Sequence, residues 1–292
     1  MPPHPPERPG KLEERLGCLL FRAFAPPSGQ NGPLPTPPEL GPAEELVIPR
    51  RHGGALSATF YPATTVAGGK AHGKAHGKAR GKARGGVLLL HPWLAFGKAY
   101  FHRRGRIAAL REAGYHVFTP DLPGFGTSPR PTFFFDQDLE DALAFCRDRL
   151  PGLPVHLWGV SSGGYWSHPL LARDRELRAA VFEDVSPHLL EWSWRMAPWG
   201  RPFYLFYRVA LRRAYRYLDM RHHAAAFRGK KVLYVGGDAD PGIPAASFQQ
   251  LAAAAGAELL LVPGAEHLQS IKQAQEQILA KALALFARAE AD

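Results

Sequence analysis

The sequence predicts an α/β fold in which helices flank a mostly parallel sheet of eight strands. From residue 87 onward, short apolar runs alternate with longer stretches of helical periodicity, which is typical of parallel strands joined by crossover helices. The helical stretches cover residues 103–112, 135–150, 249–255 and 268–289. Arginines spaced four residues apart at positions 208, 212 and 216 predict a further helix over residues 208–221. A chain of 292 residues, 46% of them hydrophobic, is long enough to bury one large core of this kind.

The chain before the alternating region divides into a proline-rich segment and a hairpin. Residues 1–44 contain twelve of the 28 prolines, and we expect a segment of that composition to be largely disordered. Residues 11–24 break the pattern, because their apolar spacing predicts a short amphipathic helix. Residues 46–48 and 55–61 predict an antiparallel hairpin. We therefore expect a single folded domain over residues 45–292.

The net charge of +10 is concentrated in two segments. Residues 65–86 hold a basic four-residue repeat with a glycine in every unit, which predicts a flexible loop. Residues 188–228 hold eight arginines against two acids, together with ten aromatic side chains. Because the rest of the chain is nearly neutral, we expect no nucleic-acid partner. A membrane surface or another anionic interface remains compatible with the basic segments.

The cysteines and the hydropathy pattern bear on location. Cys18 and Cys146 lie far apart in the sequence, which does not predict a disulfide framework. No stretch approaches eighteen apolar residues, so we expect no transmembrane helix. These features favour a reducing compartment and a cytoplasmic location.

A serine in the middle of the chain lies in a pattern that suits a nucleophile. The sequence Gly-Val-Ser-Ser-Gly at residues 159–163 directly follows an apolar run at residues 154–158. A sharp strand-to-helix turn exposes its central residue, here Ser161, at the carboxyl end of the strand and the positive end of the helix. The flanking glycines suit the close crossing of strand and helix. The pattern alone is weak, so its chemistry depends on a base and an acid elsewhere.

Two later loops supply such groups. Asp240 follows an apolar, β-branched run at residues 231–235, and His267 follows another at residues 258–262. Both runs predict strands, so the chain order is Ser, Asp, His, with the last two residues on loops after consecutive strands. The sequence therefore predicts that the three side chains meet at one rim of the sheet.

Together these motifs resemble the α/β-hydrolase superfamily. Residues 86–93 resemble the third strand of that family and the turn after it, and residues 115–128 resemble the fourth strand and its glycine-rich loop. The resemblance extends over roughly residues 45–288. It implies an α/β-hydrolase fold with a helical cap, which we place at residues 188–228.

The resemblance also implies roles for the three side chains. Ser161 would be the nucleophile, His267 the base and Asp240 the acid that orients it. Asp238 competes with Asp240, although Asp240-Pro-Gly-Ile-Pro fits the usual Asp-x-x-x-Pro pattern of the family better. Asp184, at the end of the predicted sixth strand, is a third candidate because some relatives place their acid there.

Two backbone N–H groups would form the oxyanion hole. One belongs to Ser162, and the other would come from the loop after the third strand. His91-Pro92 stands there where many members of the family have His-Gly, and proline has no N–H. Trp93 is therefore the expected second donor, with Leu94 as the alternative.

We expect a carboxylesterase or lipase-like serine hydrolase that forms an acyl-enzyme and needs neither cofactor nor metal. The expected partner is a small-molecule ester, with an apolar acyl group lodged among the aromatic side chains of the cap. The same three residues also serve thioesterases, acyltransferases and carbon–carbon bond hydrolases. A non-catalytic small-molecule-binding protein of the same fold is a further alternative. The sequence does not specify the substrate or the oligomeric state.

Overall fold

The computed structural model describes residues 4–24, 35–64, 83–129, 136–196, 198, 200–227 and 229–291. Eight strands form one sheet in the order β1-β2-β4-β3-β5-β6-β7-β8. Their bounds are β1 Glu44–Pro49, β2 Ala55–Tyr61, β3 Gly85–Leu90, β4 Tyr115–Pro120, β5 Val155–Val160, β6 Ala179–Glu183, β7 Lys231–Gly237 and β8 Glu258–Val262. Strand β2 pairs antiparallel with β1 and β4, and all other pairs are parallel. The predicted mostly parallel sheet is confirmed.

Helices cover both faces of this sheet. Their bounds are α1 Lys11–Phe24, α2 Arg106–Glu112, α3 Asp136–Arg149, α4 Ser162–Arg173, α5 Leu189–Met196, α6 Gly200–Ala210, α7 Arg212–Tyr217, α8 Met220–Ala224, α9 Ala245–Ala255, α10 Ser270–Gln273 and α11 Gln275–Ala291. Alternate residues of a strand face opposite sides, so Leu88 and Leu90 of β3 join the core beneath α3 and α4. Val87 and Leu89 join the second core, beneath α2 and α11.

The described residues between β6 and β7 form four short helices, α5 to α8. The expectation of one helix over residues 208–221, with Arg208, Arg212 and Arg216 in a row, is wrong. The backbone leaves the helical region at Leu211, where φ is −117° and ψ is 57°. It leaves again at Asp219, whose carboxylate accepts a hydrogen bond from the Arg221 N–H and begins α8.

The boundary of the C-terminal helix also differs from the expectation. Residues 268–289 were expected to form one helix, but α10 ends before Ala274, which has a φ of −131° and a ψ of 37°. The chain then continues as α11. Ile271 of the four-residue helix α10 belongs to the second core, which anchors the chain directly after His267.

The described parts of the N-terminal segment, residues 4–24 and 35–44, contact the rest of the domain, and the remainder of this segment lies outside the described residues. The predicted short helix is present as α1. The Arg8 guanidinium lies 2.7 Å from the Asp136 carboxylate. Glu13 accepts a hydrogen bond from the Ala214 N–H (3.0 Å), and the Tyr207 hydroxyl donates to the Gly17 carbonyl (3.3 Å). These contacts hold α1 against α6 and α7.

Three further expectations concern features that the described residues cover only in part. Most of the basic repeat at residues 65–86 lies outside the described residues, while its last two glycines belong to β3. Cys146 is buried and unpaired. Among the described helices, none has both the length and the apolarity required to cross a membrane.

Candidate active site

Ser161 lies in a strained turn between β5 and α4. Its φ of 47° and ψ of −115° are unusual for a residue with a side chain. A Cβ atom at Gly159 would lie 2.4 Å from the Gly164 Cα, and one at Gly163 would lie 2.3 Å from the Leu90 carbonyl oxygen. Side chains are therefore excluded from both positions, and the strand and helix cross closely enough to project Ser161 from the rim.

The structure brings together the three side chains expected to meet. The Ser161 Oγ lies 3.1 Å from His267 Nε2, and His267 Nδ1 lies 2.7 Å from Asp240 Oδ2. Since the carboxylate accepts the Nδ1 proton, Nε2 is left as an acceptor for the serine hydroxyl. The other Asp240 oxygen accepts hydrogen bonds from the N–H groups of Gly242 and Ile243, at 2.8 and 2.9 Å. These bonds fix the carboxylate against the imidazole.

The two other candidate acids have different partners. Asp238 is exposed, and its carboxylate accepts a hydrogen bond from the Gly264 N–H at 2.6 Å. Asp184 is fully buried, and its Oδ1 accepts a hydrogen bond from the Ser270 hydroxyl at 2.9 Å. Asp240 is thus the carboxylate that the structure places in a hydrogen bond with His267.

The loop after β3 is held by His91, a residue to which the sequence assigned no role. The Leu122 N–H donates to His91 Nε2 (2.9 Å), so Nδ1 carries the proton and donates it to the Pro92 carbonyl (2.8 Å). Burial lowers the pKa of His91 to about 4, which keeps the ring neutral near pH 7. The Leu94 N–H also donates to the Pro92 carbonyl (2.8 Å). The Leu94 N–H, the alternative oxyanion donor, is therefore already engaged in a hydrogen bond.

The expected donors Trp93 and Ser162 both lie beside Ser161. The Pro92–Trp93 peptide is trans, so the Trp93 N–H is directed away from the carbonyl that His91 and Leu94 bind. The Ser162 N–H belongs to the first turn of α4, where the helix offers it no backbone acceptor. Both residues line the cavity beside Ser161, and their role as oxyanion donors stays a prediction.

A mostly apolar cavity of about 310 Å³ opens beside Ser161. Its walls come from the β3 loop, the start of α4, helix α5 and the loop that carries His267. The lining residues are Pro92, Trp93, Leu94, Ser161, Ser162, Tyr165, Trp166, Ser186, Leu189, Trp192, Ile243, His267 and Leu268. A larger cavity, of about 630 Å³, is lined by residues such as Arg175 and Lys230 and includes none of the three candidate catalytic side chains.

A buried ion pair lies directly behind the turn, and sequence reasoning missed it. Arg106 Nη2 donates to both carboxylate oxygens of Glu183, at 2.6 and 2.7 Å, and neither side chain is exposed. The Trp158 indole N–H donates to the same carboxylate at 3.3 Å. The backbone carbonyl of Glu183 accepts the Ser161 N–H at 2.8 Å. The pair therefore supports the strand end that carries the strained serine turn.

Asp184 is a buried acid with one unused oxygen. Its Oδ2 atom has no hydrogen-bond partner among the described residues. Burial, followed by the neighbouring negative charge of Glu183, raises the pKa of Asp184 to about 7. The described residues contain no group of three or more His, Cys, Asp or Glu side chains that could hold a metal ion.

Asp184→Asn is expected to change how the stability of the protein depends on pH. The acid has a pKa of about 7 when folded and 3.8 when unfolded, so between these values the folded state holds a proton that the unfolded state has released. The Asp184 contribution to the free energy of unfolding therefore falls as the pH rises through this range. From pH 5 to pH 8 the free energy of unfolding of the wild type, measured in urea, should fall by about 2–3 kcal/mol relative to that of the variant. Asp238→Asn, which changes an exposed carboxylate, is the control. Parallel curves of the free energy of unfolding against pH for wild type and Asp184→Asn would contradict the prediction.

Comparisons with known proteins agree with this architecture. The family model of the alpha/beta hydrolase fold matches residues 86–212. No curated protein sequence matches the chain. An esterase from Pyrococcus furiosus is similar in structure, with a TM-score of 0.69 and 16% identity, over 89% of this chain and 96% of that one.

Two further solved structures are similar. The alpha/beta hydrolase GrgF from Penicillium sp. sh18 has a TM-score of 0.63 and 14% identity, over 86% of this chain and 100% of its own. The esterase domain of a Rhodothermus marinus protein has a TM-score of 0.59 and 15% identity, over 85% and 98%. At these identities the similarities show a shared fold.

Proposed function

We propose that this chain, which has the α/β-hydrolase fold and matches the family model over residues 86–212, is a serine hydrolase that cleaves carboxylic esters. The observation that carries the proposal is the continuous chain of hydrogen bonds from Ser161 through His267 to Asp240. A serine hydroxyl is a weak nucleophile unless a base accepts its proton as it attacks. The 3.1 Å contact with an acceptor nitrogen supports that role for His267.

In the proposed reaction, the Ser161 oxygen attacks the ester carbonyl carbon while His267 takes the hydroxyl proton. Asp240 stabilises the resulting imidazolium, and the N–H groups of Ser162 and Trp93 bind the negative oxygen of the tetrahedral intermediate. The carbon–oxygen bond to the alcohol then breaks, and His267 gives the proton to the leaving alcohol. A water molecule, deprotonated by His267, releases the acid by the same steps in reverse order.

The walls of the cavity are suited to an apolar acyl group. Aromatic and aliphatic side chains dominate its walls, and the rings of Trp93 and Trp192 lie on different elements. Burying apolar surface of the substrate there is favourable by about 25 cal/mol per Å². A volume of about 310 Å³ lies at the lower end of the range for small-molecule sites. The site therefore suits the part of an ester around the scissile bond.

We expect a fluorophosphonate probe to modify the folded protein at Ser161 and to abolish hydrolysis of p-nitrophenyl butyrate in the same proportion. The probe carries an electrophilic phosphorus that reacts only with a serine activated by a base. Mass spectrometry of the digested protein locates the adduct. His267→Ala should slow the labelling, whereas Ser162→Ala should not. Folded protein that neither reacts with the probe nor hydrolyses the ester would instead be a binding protein of this fold.

A further inference from the structure

Helices α5 and α6 expose an apolar surface next to the candidate active site. Leu205, Phe206 and Val209 are 51%, 43% and 68% exposed and lie within an arc of about 100° on α6. Tyr207, on the other side of the helix, is buried. Together with exposed Trp194 and Met196 of α5 they form what we call the α5–α6 patch. Exposed apolar side chains clustered on neighbouring elements indicate an interaction surface.

The α5–α6 patch is bordered by arginines without acidic partners. Arg201 and Arg208 lie on α6, and their guanidinium groups lie over the rings of Trp194 (5.5 Å) and Tyr204 (5.8 Å). Exposed arginines continue on α7 at positions 212, 213 and 216. None of these five pairs with a carboxylate among the described residues, whereas Arg221 of α8 pairs with two. The surface therefore carries positive charge that the described part of the chain does not neutralise.

The patch is continuous with the wall of the cavity. Helix α5 contributes Trp192 to the cavity and Met196 to the patch. Both side chains lie against Gly242, where an added Cβ would be 2.6 Å from the Trp192 indole nitrogen and 3.1 Å from the Met196 sulfur. Gly242 in turn donates a hydrogen bond to Asp240. One short helix thus joins the exposed surface to the candidate catalytic acid.

We propose that the α5–α6 patch docks on an anionic lipid surface and that the ester substrate is a lipid held in that surface. The part about the substrate rests on the proposed ester hydrolysis. Exposed apolar side chains beside arginines suit the boundary between acyl chains and negative headgroups. A cavity of about 310 Å³, at the lower end of the range for small-molecule sites, is small for a whole lipid and suits the region around the scissile bond. The rest of the molecule would stay in the lipid surface, against the patch.

Charge distinguishes this occupant from a second copy of the chain. Residues 188–228 have eight arginines and two acids, so two copies of the patch would face each other with positive charge on both sides. An anionic bilayer instead attracts each nearby arginine and accepts the apolar side chains beneath its headgroups. Both features of the patch then contribute to the same contact.

The test is sedimentation of the full chain with lipid vesicles. The sedimentation measurements use Ser161→Ala as the parent protein, so that no lipid is consumed, and the rate measurements use the same changes in the wild type. We expect binding to vesicles that contain about a third phosphatidylglycerol, weak binding to pure phosphatidylcholine, and a loss of binding in high salt. The double variants Phe206→Ser/Val209→Ser and Arg201→Gln/Arg208→Gln should each weaken the partition coefficient by about tenfold.

Matched controls remove the same groups elsewhere. Val47→Ser removes a side chain that is 70% exposed on edge strand β1. Arg175→Gln/Arg178→Gln removes two exposed arginines from the loop before β6, at the opposite end of the strands from Ser161. Both controls should partition like the parent protein. Thermal unfolding, expected to be similar in all variants because the changed residues are exposed, confirms that each is folded.

Three outcomes would overturn the docking proposal. The first is equal binding to neutral and anionic vesicles. The second is a loss of vesicle binding in the control variants as large as that in the patch variants. The third is binding to soluble polyglutamate without binding to vesicles. The failure of the proposed function has a separate signature, which is wild-type protein that does not hydrolyse soluble p-nitrophenyl esters although it binds anionic vesicles. If both proposals hold, the patch variants keep kcat/KM for soluble esters and lose rate on esters in anionic vesicles.

Discussion

Replacing Ser161 with alanine is expected to lower kcat/KM for a soluble p-nitrophenyl ester by about 10⁴-fold. Alanine cannot form the acyl-enzyme, and what remains is the rate that the oxyanion donors and substrate binding can supply. Both residues have a Cβ and are equally strained at a φ of 47°, so the free energy of unfolding should change by less than about 1 kcal/mol. Steady-state kinetics and urea unfolding on the same preparation check both expectations.

The chain offers close controls for this prediction. Ser162→Ala removes a neighbouring hydroxyl that is buried and has no hydrogen-bond partner among the described residues, while it keeps the backbone N–H. Its kcat/KM should stay within about tenfold of the wild type. Asp240→Asn should cost several orders of magnitude, because the amide favours the wrong imidazole tautomer, and Asp238→Asn should cost little. Substantial activity in Ser161→Ala would refute the proposed nucleophile.

Arg106→Met is expected to lower the free energy of unfolding by about 3–5 kcal/mol near pH 7. The substitution leaves the Glu183 carboxylate fully buried without its cation, and the remaining donor, the Trp158 indole, is 3.3 Å away. Urea unfolding followed by tryptophan fluorescence measures the loss. Because the Glu183 carbonyl binds the Ser161 N–H, activity should fall as well.

The double variant Arg106→Met/Glu183→Leu is the matched control. It removes both charges, and replacing a buried ion pair with apolar side chains is often neutral. Two nitrogens of the guanidinium, Nε and Nη1, have no hydrogen-bond partner among the described residues, which makes the native pair incompletely satisfied. The double variant should therefore be more stable than Arg106→Met. A single variant as stable as the wild type would show that the pair contributes little.

The sheet and the meeting of three side chains could be predicted because the signals are local. Each strand is a short apolar run, and parallel strands bring their carboxyl ends to one rim. Ser161, Asp240 and His267 each follow such a run, so their convergence needed no knowledge of side-chain packing. Their roles in catalysis stay a prediction until the variants are measured.

What the sequence could not predict depends on contacts between distant residues. The pair of Arg106 and Glu183 joins positions 77 residues apart, and nothing local marks either as buried. The role of His91 depends on the Leu122 N–H of another loop. The position of His91 directly before Pro92, at the end of β3, was a signal that the sequence did contain. Its hydrogen-bond partners could not be read from the sequence.

The helix boundaries between β6 and β7 illustrate the same limit at shorter range. Periodic arginines suggested a helix over residues 208–221, yet a side-chain cap at Asp219 favours a new start at α8. The contacts of the N-terminal segment could not be predicted from its composition either. Its prolines disfavour an independent fold, but Glu13 and Gly17 bind helices that are already in place.

Strained backbone positions cluster around the candidate active site. Among the described residues, the non-glycine positions with left-handed φ are Arg104, Ser161, Asp184 and Leu268. Glycine would relax each of them. Selection for thermal stability alone would therefore favour substitutions at these positions first. If the site is catalytic, the more stable variants would have lower activity.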